Sequence, residues 1–130
     1  MPFGHENLDV YQLSLEYVAF AFGLADRLQG PVRHARDQLL RASQSIPLNI
    51  AEGNGKASDP DRRRFFEIAR GSALECAAIQ DVLQVCGVIT AEENEDAKLT
   101  LDRIAAMLTK LGGRGYSVGD DVDDYGDPSE

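Results

Sequence analysis

Between Phe65 and Cys86 the chain sets Phe65, Ala69, Ser72, Cys76, Ile79, Leu83 and Cys86 at steps of four, three, four, three, four and three. Only an α-helix brings that spacing onto one side, and a three/four alternation is the seam of a helix packed lengthwise on others. Asp59 as cap, Pro60 at the first position and Gly87 at the end bound it. No segment alternates apolar and polar residues with period two, so no sheet is expected beside it.

Three more segments carry helical periodicity. The first runs from Leu8, capped by Asn7, to about Gln29 and bears two adjacent stripes: Tyr11, Leu15, Val18, Phe22, Ala25, and Leu13, Tyr17, Phe20, Leu24. Two stripes are wider than one bundle core requires, which points to contact with another subunit. The second starts at Pro31 and runs to about Glu52, with Leu39, Ala42, Ile46, Ile50 and Gly53 inward and Gly53-Asn54-Gly55 as a left-handed stop. Pro47 inside it predicts a kink or break near Ser43–Pro47, with Ser43 or Ser45 satisfying freed backbone groups. The fourth opens on a capping box, Thr90 with Glu93, and carries Ala97, Leu101, Ile104, Leu108 and Leu111 before Gly112-Gly113. Short connections favour antiparallel neighbours. The expected fold is an all-α, antiparallel up-down four-helix bundle over residues 1–113, followed by a disordered acidic tail over 114–130.

At 130 residues, 43% apolar and 27% charged, the chain fits one globular domain. It has neither an apolar run of bilayer length nor the basic and apolar regions of a signal peptide, so a cytoplasmic protein without a membrane partner is expected. Cys76 and Cys86, ten residues apart on one helix, would lie roughly 15 Å apart and cannot pair with each other; both are read as core thiols. The net charge is −9, but six of the acids, Asp120, Asp121, Asp123, Asp124, Asp127 and Glu130, lie in the last eleven residues. Without the stretch after Gly113, which also holds Arg114, twelve basic and sixteen acidic residues remain, a net of −4. From Arg27 to Arg70 nine basic residues face five acids, so the middle of the chain is locally basic. The tail reads either as a solubilising end or as a mimic of nucleic-acid charge competing for that basic region.

Catalytic patterns fail one by one. His5 and His34 are the only histidines, and neither is flanked by a nucleophile motif. No Glu-x-x-His exists for a di-metal bundle site, and no Cys-x-x-Cys for zinc. Gly55-Lys56 resembles the end of a phosphate loop, yet Ile50 stands where the first glycine belongs and Ala57 where Ser or Thr should hold magnesium. No catalytic residue, metal, cofactor or small-molecule substrate is expected, and the chain is read as a non-enzyme.

Two polar features remain. Beside the apolar stripe of the second helix run Gln38, Arg41, Ser45, Asn49 and Glu52, and the third helix offers Arg70, Ser72 and Glu75 as partners. This is read either as a solvated face or as a buried polar interface, in which Arg41 pairs with a carboxylate of its own or a neighbouring subunit and fixes register. The second feature is basic: Arg62, Arg63 and Arg64, with Lys56, Arg33 and Arg36. Three cations in the first turn of a helix oppose its dipole, so either a phosphate contact or an ordinary solvated face accounts for them.

The run Gln38-Leu39-Leu40-Arg41-Ala42-Ser43-Gln44-Ser45-Ile46-Pro47-Leu48-Asn49-Ile50-Ala51-Glu52-Gly53, with Phe65-Phe66-Glu67-Ile68-Ala69-Arg70-Gly71-Ser72-Ala73-Leu74-Glu75, resembles the four helix bundle protein family, the 23S ribosomal RNA intervening-sequence proteins. Its patterns are Q-L-x-R-A, S-I-x-x-N-I-A-E-G and an aromatic-rich element ending in A-R-G-S-x-x-E. Phe3 and Leu8-Asp9-Val10-Tyr11-Gln12 resemble the family's start, and the likeness spans residues 3 to 111. It implies an antiparallel bundle assembling with copies of itself as a ring, commonly a pentamer, without established enzymatic activity. A related branch, the accessory protein of diversity-generating retroelements, binds nucleic acid and a reverse transcriptase. That branch is basic, whereas this chain is acidic overall. From these features the chain is read as a ring-forming binding module contacting RNA or DNA through a basic face, or alternatively as a protein scaffold without nucleic-acid binding.

Overall fold

The computed structural model describes residues 3–112; the expected acidic tail lies outside them. Four helices, α1 (Asp9–Ala25), α2 (Arg33–Asn54), α3 (Asp59–Val85) and α4 (Ala91–Leu111), are joined by short connections, with 3-10 turns at Gly4–Asn7 and Gly30–Val32. The described residues contain no strand. Each helix packs on its neighbour in sequence, and α1 closes the set against α4.

Their directions follow from the residues that meet. Arg41 reaches Glu75, Ser45 reaches Ser72 and Gly53 abuts Phe65, so α2 and α3 run antiparallel. Asp81 meets Lys98 and Arg70 meets Thr109, so α3 and α4 do too. At one end of α1, Leu8 and Val10 share a groove with Met107 and Leu111; beyond the other, Arg27 bonds Glu93. The core is filled by Tyr17, Leu28, Leu39, Ile46, Ile50, Leu83, Ile104 and Leu108. Burial of each such apolar side chain stabilises the fold by roughly 1.5–3 kcal/mol.

Several local expectations are corrected. α1 is shorter than Leu8–Gln29: the Gly4–Asn7 turn displaces the cap from Asn7 to Leu8, and turn bonds from Arg27 and Leu28 wind up the other end so that Leu28 can enter the core. Of its two stripes, Leu13, Tyr17 and Leu24 face the core together with Val10 and Ala21, whereas Leu15, Phe20 and Phe22 are exposed. Pro31 lies in a 3-10 turn, and α2 begins after it. Pro47 does not break α2, which is assigned as helix throughout, and the Ser43 hydroxyl donates to the Leu40 carbonyl. No left-handed residue stops α2: Gly53 is helical and Gly55 has φ −85°.

The cap of α3 is Ser58, not Asp59; its hydroxyl accepts from the Asp61 N–H. The core aromatic is Phe66 rather than Phe65. At the far end Gly87, with φ +78°, adopts the left-handed turn that L side chains avoid. Cys86 is exposed at the C-cap rather than in the core, and Leu111 is likewise exposed at the end of α4. The capping box on α4 is present in both directions, Glu93 N–H to Thr90 and Thr90 N–H to Glu93.

Candidate functional site

The six basic residues do not share one face. Arg33 and Arg36 lie in the first turns of α2, whereas Lys56 follows its last turn and Arg62, Arg63 and Arg64 open the antiparallel α3. The 22 residues of α2 separate the two groups by about 30 Å. Arg36 also folds back on Asp37 at 3.2 Å. The remaining four form one basic end of the bundle. There Lys56 Nζ lies 5.1 Å and Arg64 Cζ 4.7 Å from the centroid of Phe65, cation–π contacts that hold both charges at the surface. Lys56 also pairs with Glu52 at 3.1 Å. Arg62 and Arg63 have no ion-pair partner among the described residues. Ser58, Asp59 and Asp61 satisfy the start of α3, so its helix tolerates the arginines that follow.

The polar stripe falls at the α2–α3 seam. Arg41 Nη2 donates to Glu75 Oε2 at 2.7 Å, Ser72 Oγ to Ser45 Oγ at 2.8 Å, and Asn49 Nδ2 to the Ser45 carbonyl and hydroxyl. Glu52 turns to Lys56, Gln38 is exposed, and Arg70 belongs to the opposite seam, donating to Thr109 Oγ1 at 3.0 Å. Within one chain Arg41 and Glu75 remain 65% and 40% exposed. A solvent-screened pair of this kind contributes at most about 1 kcal/mol.

Register is held more firmly by a network the sequence pattern did not single out. The Tyr17 hydroxyl donates to Gln80 Oε1, Gln80 Nε2 to Asn94 Oδ1 at 2.9 Å, and Asn94 Nδ2 to Asp81 and Gln84. Tyr17, Gln80 and Asn94 are buried, and together they tie α1, α3 and α4. The only sequence signal was a polar Gln and Asn at core phase on two facing helices. Burial drives the Tyr17 hydroxyl pKa upward and pushes the neighbouring Cys76 thiol up to about 12. Neither is a nucleophile at neutral pH. His, Cys, Asp and Glu do not gather in any metal-holding group among the described residues. No described helix is long and apolar enough to cross a membrane.

The outer side of α3 is the other feature of note. Ile68, Gly71, Ala78, Val82 and Val85 share it, with Leu74 on its flank and Glu75 as the charge within it. Ile68, Leu74, Val82 and Val85 are 43%, 49%, 54% and 87% exposed. From Ile68 to Val85 this apolar strip runs about 26 Å. Diagonally across the bundle, Leu15 and Phe22 are exposed on α1.

Residues 6–110 match the family model described as 23S rRNA-intervening sequence protein. The chain belongs to this family. It is also similar in structure to a protein of unknown function from the S23 ribosomal protein family of Bacteroides thetaiotaomicron, solved at 1.70 Å resolution. The two are 25% identical with a TM-score of 0.72, over 78% of this chain and 96% of the other. No curated protein matches the chain. The residues carrying the family resemblance, Arg41, Ser45, Asn49, Gly53, Ser72 and Glu75, are largely those that seat α2 on α3.

Proposed function

We propose that this member of the intervening-sequence family is a non-enzymatic helical-bundle module that assembles with copies of itself and contacts RNA or DNA phosphates through one end. The observation that carries the reading is the basic end itself. Lys56 and Arg64 meet over Phe65 there, and Arg62 and Arg63, in the same turn as Asp59 and Asp61, have no ion-pair partner among the described residues. Guanidinium groups fixed at a surface are suited to phosphate oxygens, and nothing in the packing of α3 calls for three of them in its first turns.

Binding to a single-stranded oligoribonucleotide, followed over a range of salt, tests the reading. Three or four phosphates contacted per subunit give a log-affinity slope of about −2 to −3 against log salt, at roughly 0.7 per phosphate. Replacing Arg62, Arg63 and Arg64 by alanine should flatten that slope. Absence of binding even at low salt ends the nucleic-acid reading.

The second reading, a protein scaffold without nucleic-acid binding, is favoured by the apolar strip on α3. The same strip supports self-assembly. The exposed faces of α1 and α3 lie on diagonal helices and point apart, so one copy's α1 face can meet the next copy's α3 face. Such head-to-tail contacts close into a ring when the rotation permits.

A further inference from the structure

The excess negative charge of the four helices sits on one half of the bundle. α2 and α3 carry seven acids against seven bases, whereas α1 and α4 carry seven against three, and α1 has no base at all. Where α1 and α4 meet, Glu16, Tyr17 and Phe20 of the first and Asp96, Ala97 and Thr100 of the second line a groove of about 350 Å³. Glu16 and Phe20 stand one turn apart on the flank of α1 turned to α4, so the groove is separate from the exposed face of Leu15 and Phe22. Its floor is apolar: Phe20 is 38% exposed and braced against Tyr17, with ring centroids 5.7 Å apart. Its rim is anionic. Glu16 and Asp96 are exposed, and neither has an ion-pair or hydrogen-bond partner among the described residues.

The neighbouring bases do not neutralise this rim. Arg27 is taken up by Glu93 at the end of the groove, and Lys98 turns to Asp81 on the α3 side. Arg103, the next base on this flank of α4, lies beyond Thr100 and outside the lining, while Glu92, one turn before Asp96, adds a like charge. An aromatic floor between carboxylates suits a guanidinium, which lays its flat face on a ring while its N–H fork meets carboxylate oxygens; a lysine ammonium does this less well. We infer that the α1–α4 groove docks an arginine-bearing segment of a partner protein, its guanidinium over Phe20 and against the carboxylates of Glu16 and Asp96. A second copy is a poor occupant, because its α2–α3 half is charge-balanced and its arginines at 62–64 share their turn with Asp59 and Asp61. The assignment does not rest on the nucleic-acid reading, since carboxylates repel phosphates.

The test titrates the isotope-labelled full chain with a blocked pentapeptide, acetyl-Leu-Arg-Ala-Leu-Arg-amide, followed by amide NMR shifts. Two companion peptides replace both arginines, one by lysine and one by citrulline, which keeps the shape of arginine without its charge. The arginine peptide should shift Glu16, Phe20, Asp96 and Thr100 saturably, the lysine peptide should bind several-fold more weakly, and the citrulline peptide should leave these amides unmoved. Glu16→Gln with Asp96→Asn should weaken the arginine peptide about tenfold at low salt, two exposed ion pairs being lost. Asp120→Asn with Asp121→Asn makes the same change of net charge in the C-terminal acidic run and should leave the affinity within about twofold, as for a distant screened charge. Shifts confined to other parts of the bundle, an equal loss in the two variants, or no binding even at millimolar peptide overturns the docking site. Equal binding of the arginine peptide and either companion overturns its assignment to arginine.

Discussion

Gly53 shows what a single residue decides in this bundle. A Cβ there would stand 2.9 Å from the Phe65 Cβ and 3.0 and 3.1 Å from ring atoms of Phe66. The position is helical, so glycine costs backbone entropy and alanine would recover up to about 1 kcal/mol of helix propensity. Overpacking a close-packed contact costs about 1–3 kcal/mol. Because α2 would have to move away from α3, the second effect wins. Gly53→Ala should lower stability by about 1–2 kcal/mol, read as the midpoint of urea unfolding at constant slope; an unchanged or raised midpoint would show that the aromatic pair yields freely. The sequence places Gly53 correctly on the inward stripe of α2, where it is buried, but its role as part of a left-handed stop is not what the structure shows. A Gly-Asn-Gly run after a helix has the composition of a left-handed stop, and only the approach of Phe65 and Phe66, contributed by another helix, shows why a side chain is excluded.

Helix ends were legible where the signal is local and hidden where it is tertiary. Thr90 and Glu93 form their capping box because both partners lie within one turn. The start of α1 lies one residue later than its sequence signal, at Asp9 with Leu8 as cap, because Gly4–Asn7 winds into a turn that no periodicity announces. On α1 itself, adjacent stripes share the same spacing, so period alone cannot say which one meets the core. The same limit applies to Phe65 and Phe66. The basic residues were grouped by sequence proximity, yet α2 carries Arg33 and Arg36 to the far end. The start of α4 also gives the clearest pH dependence. Glu93 accepts from Arg27 and from the Thr90 N–H, and these bonds, the Arg27 guanidinium first, hold its carboxyl at about 2 against an ordinary 4.5. A depressed folded pKa contributes stability that is complete above the unfolded value and is lost as pH falls through the folded one. Wild type should therefore melt above Glu93→Gln when pH exceeds 4.5, with the difference shrinking to near zero as pH approaches 2. Gln keeps the box, so the comparison isolates the charge. A gap between the two melting temperatures that does not change with pH would assign the stabilisation to packing.

At the scale of the whole molecule, the question is why a bundle with a complete core also leaves apolar faces outside it. Scattered exposed hydrophobics are ordinary, but those of α3 recur along one side for about 26 Å, and those of α1 stand on the diagonal helix. Two different faces pointing apart make a heterologous contact, whereas a self-complementary dimer uses one patch twice. The alternatives separate in a mixing experiment followed by light scattering after size exclusion. On the head-to-tail reading, Val82→Glu spoils the α3 face and Phe22→Glu the α1 face, and each variant alone should be monomeric. Mixed, the intact α1 face of the first still meets the intact α3 face of the second, so a one-to-one heterodimer should appear and stop there, both outer ends being blocked. An isologous contact through α3 gives a different outcome: Val82→Glu monomeric, Phe22→Glu assembled as wild type, and no mixed species. Because both substitutions lie on surfaces already exposed in the single chain, neither should alter the cooperative unfolding of the bundle, which distinguishes loss of assembly from loss of fold.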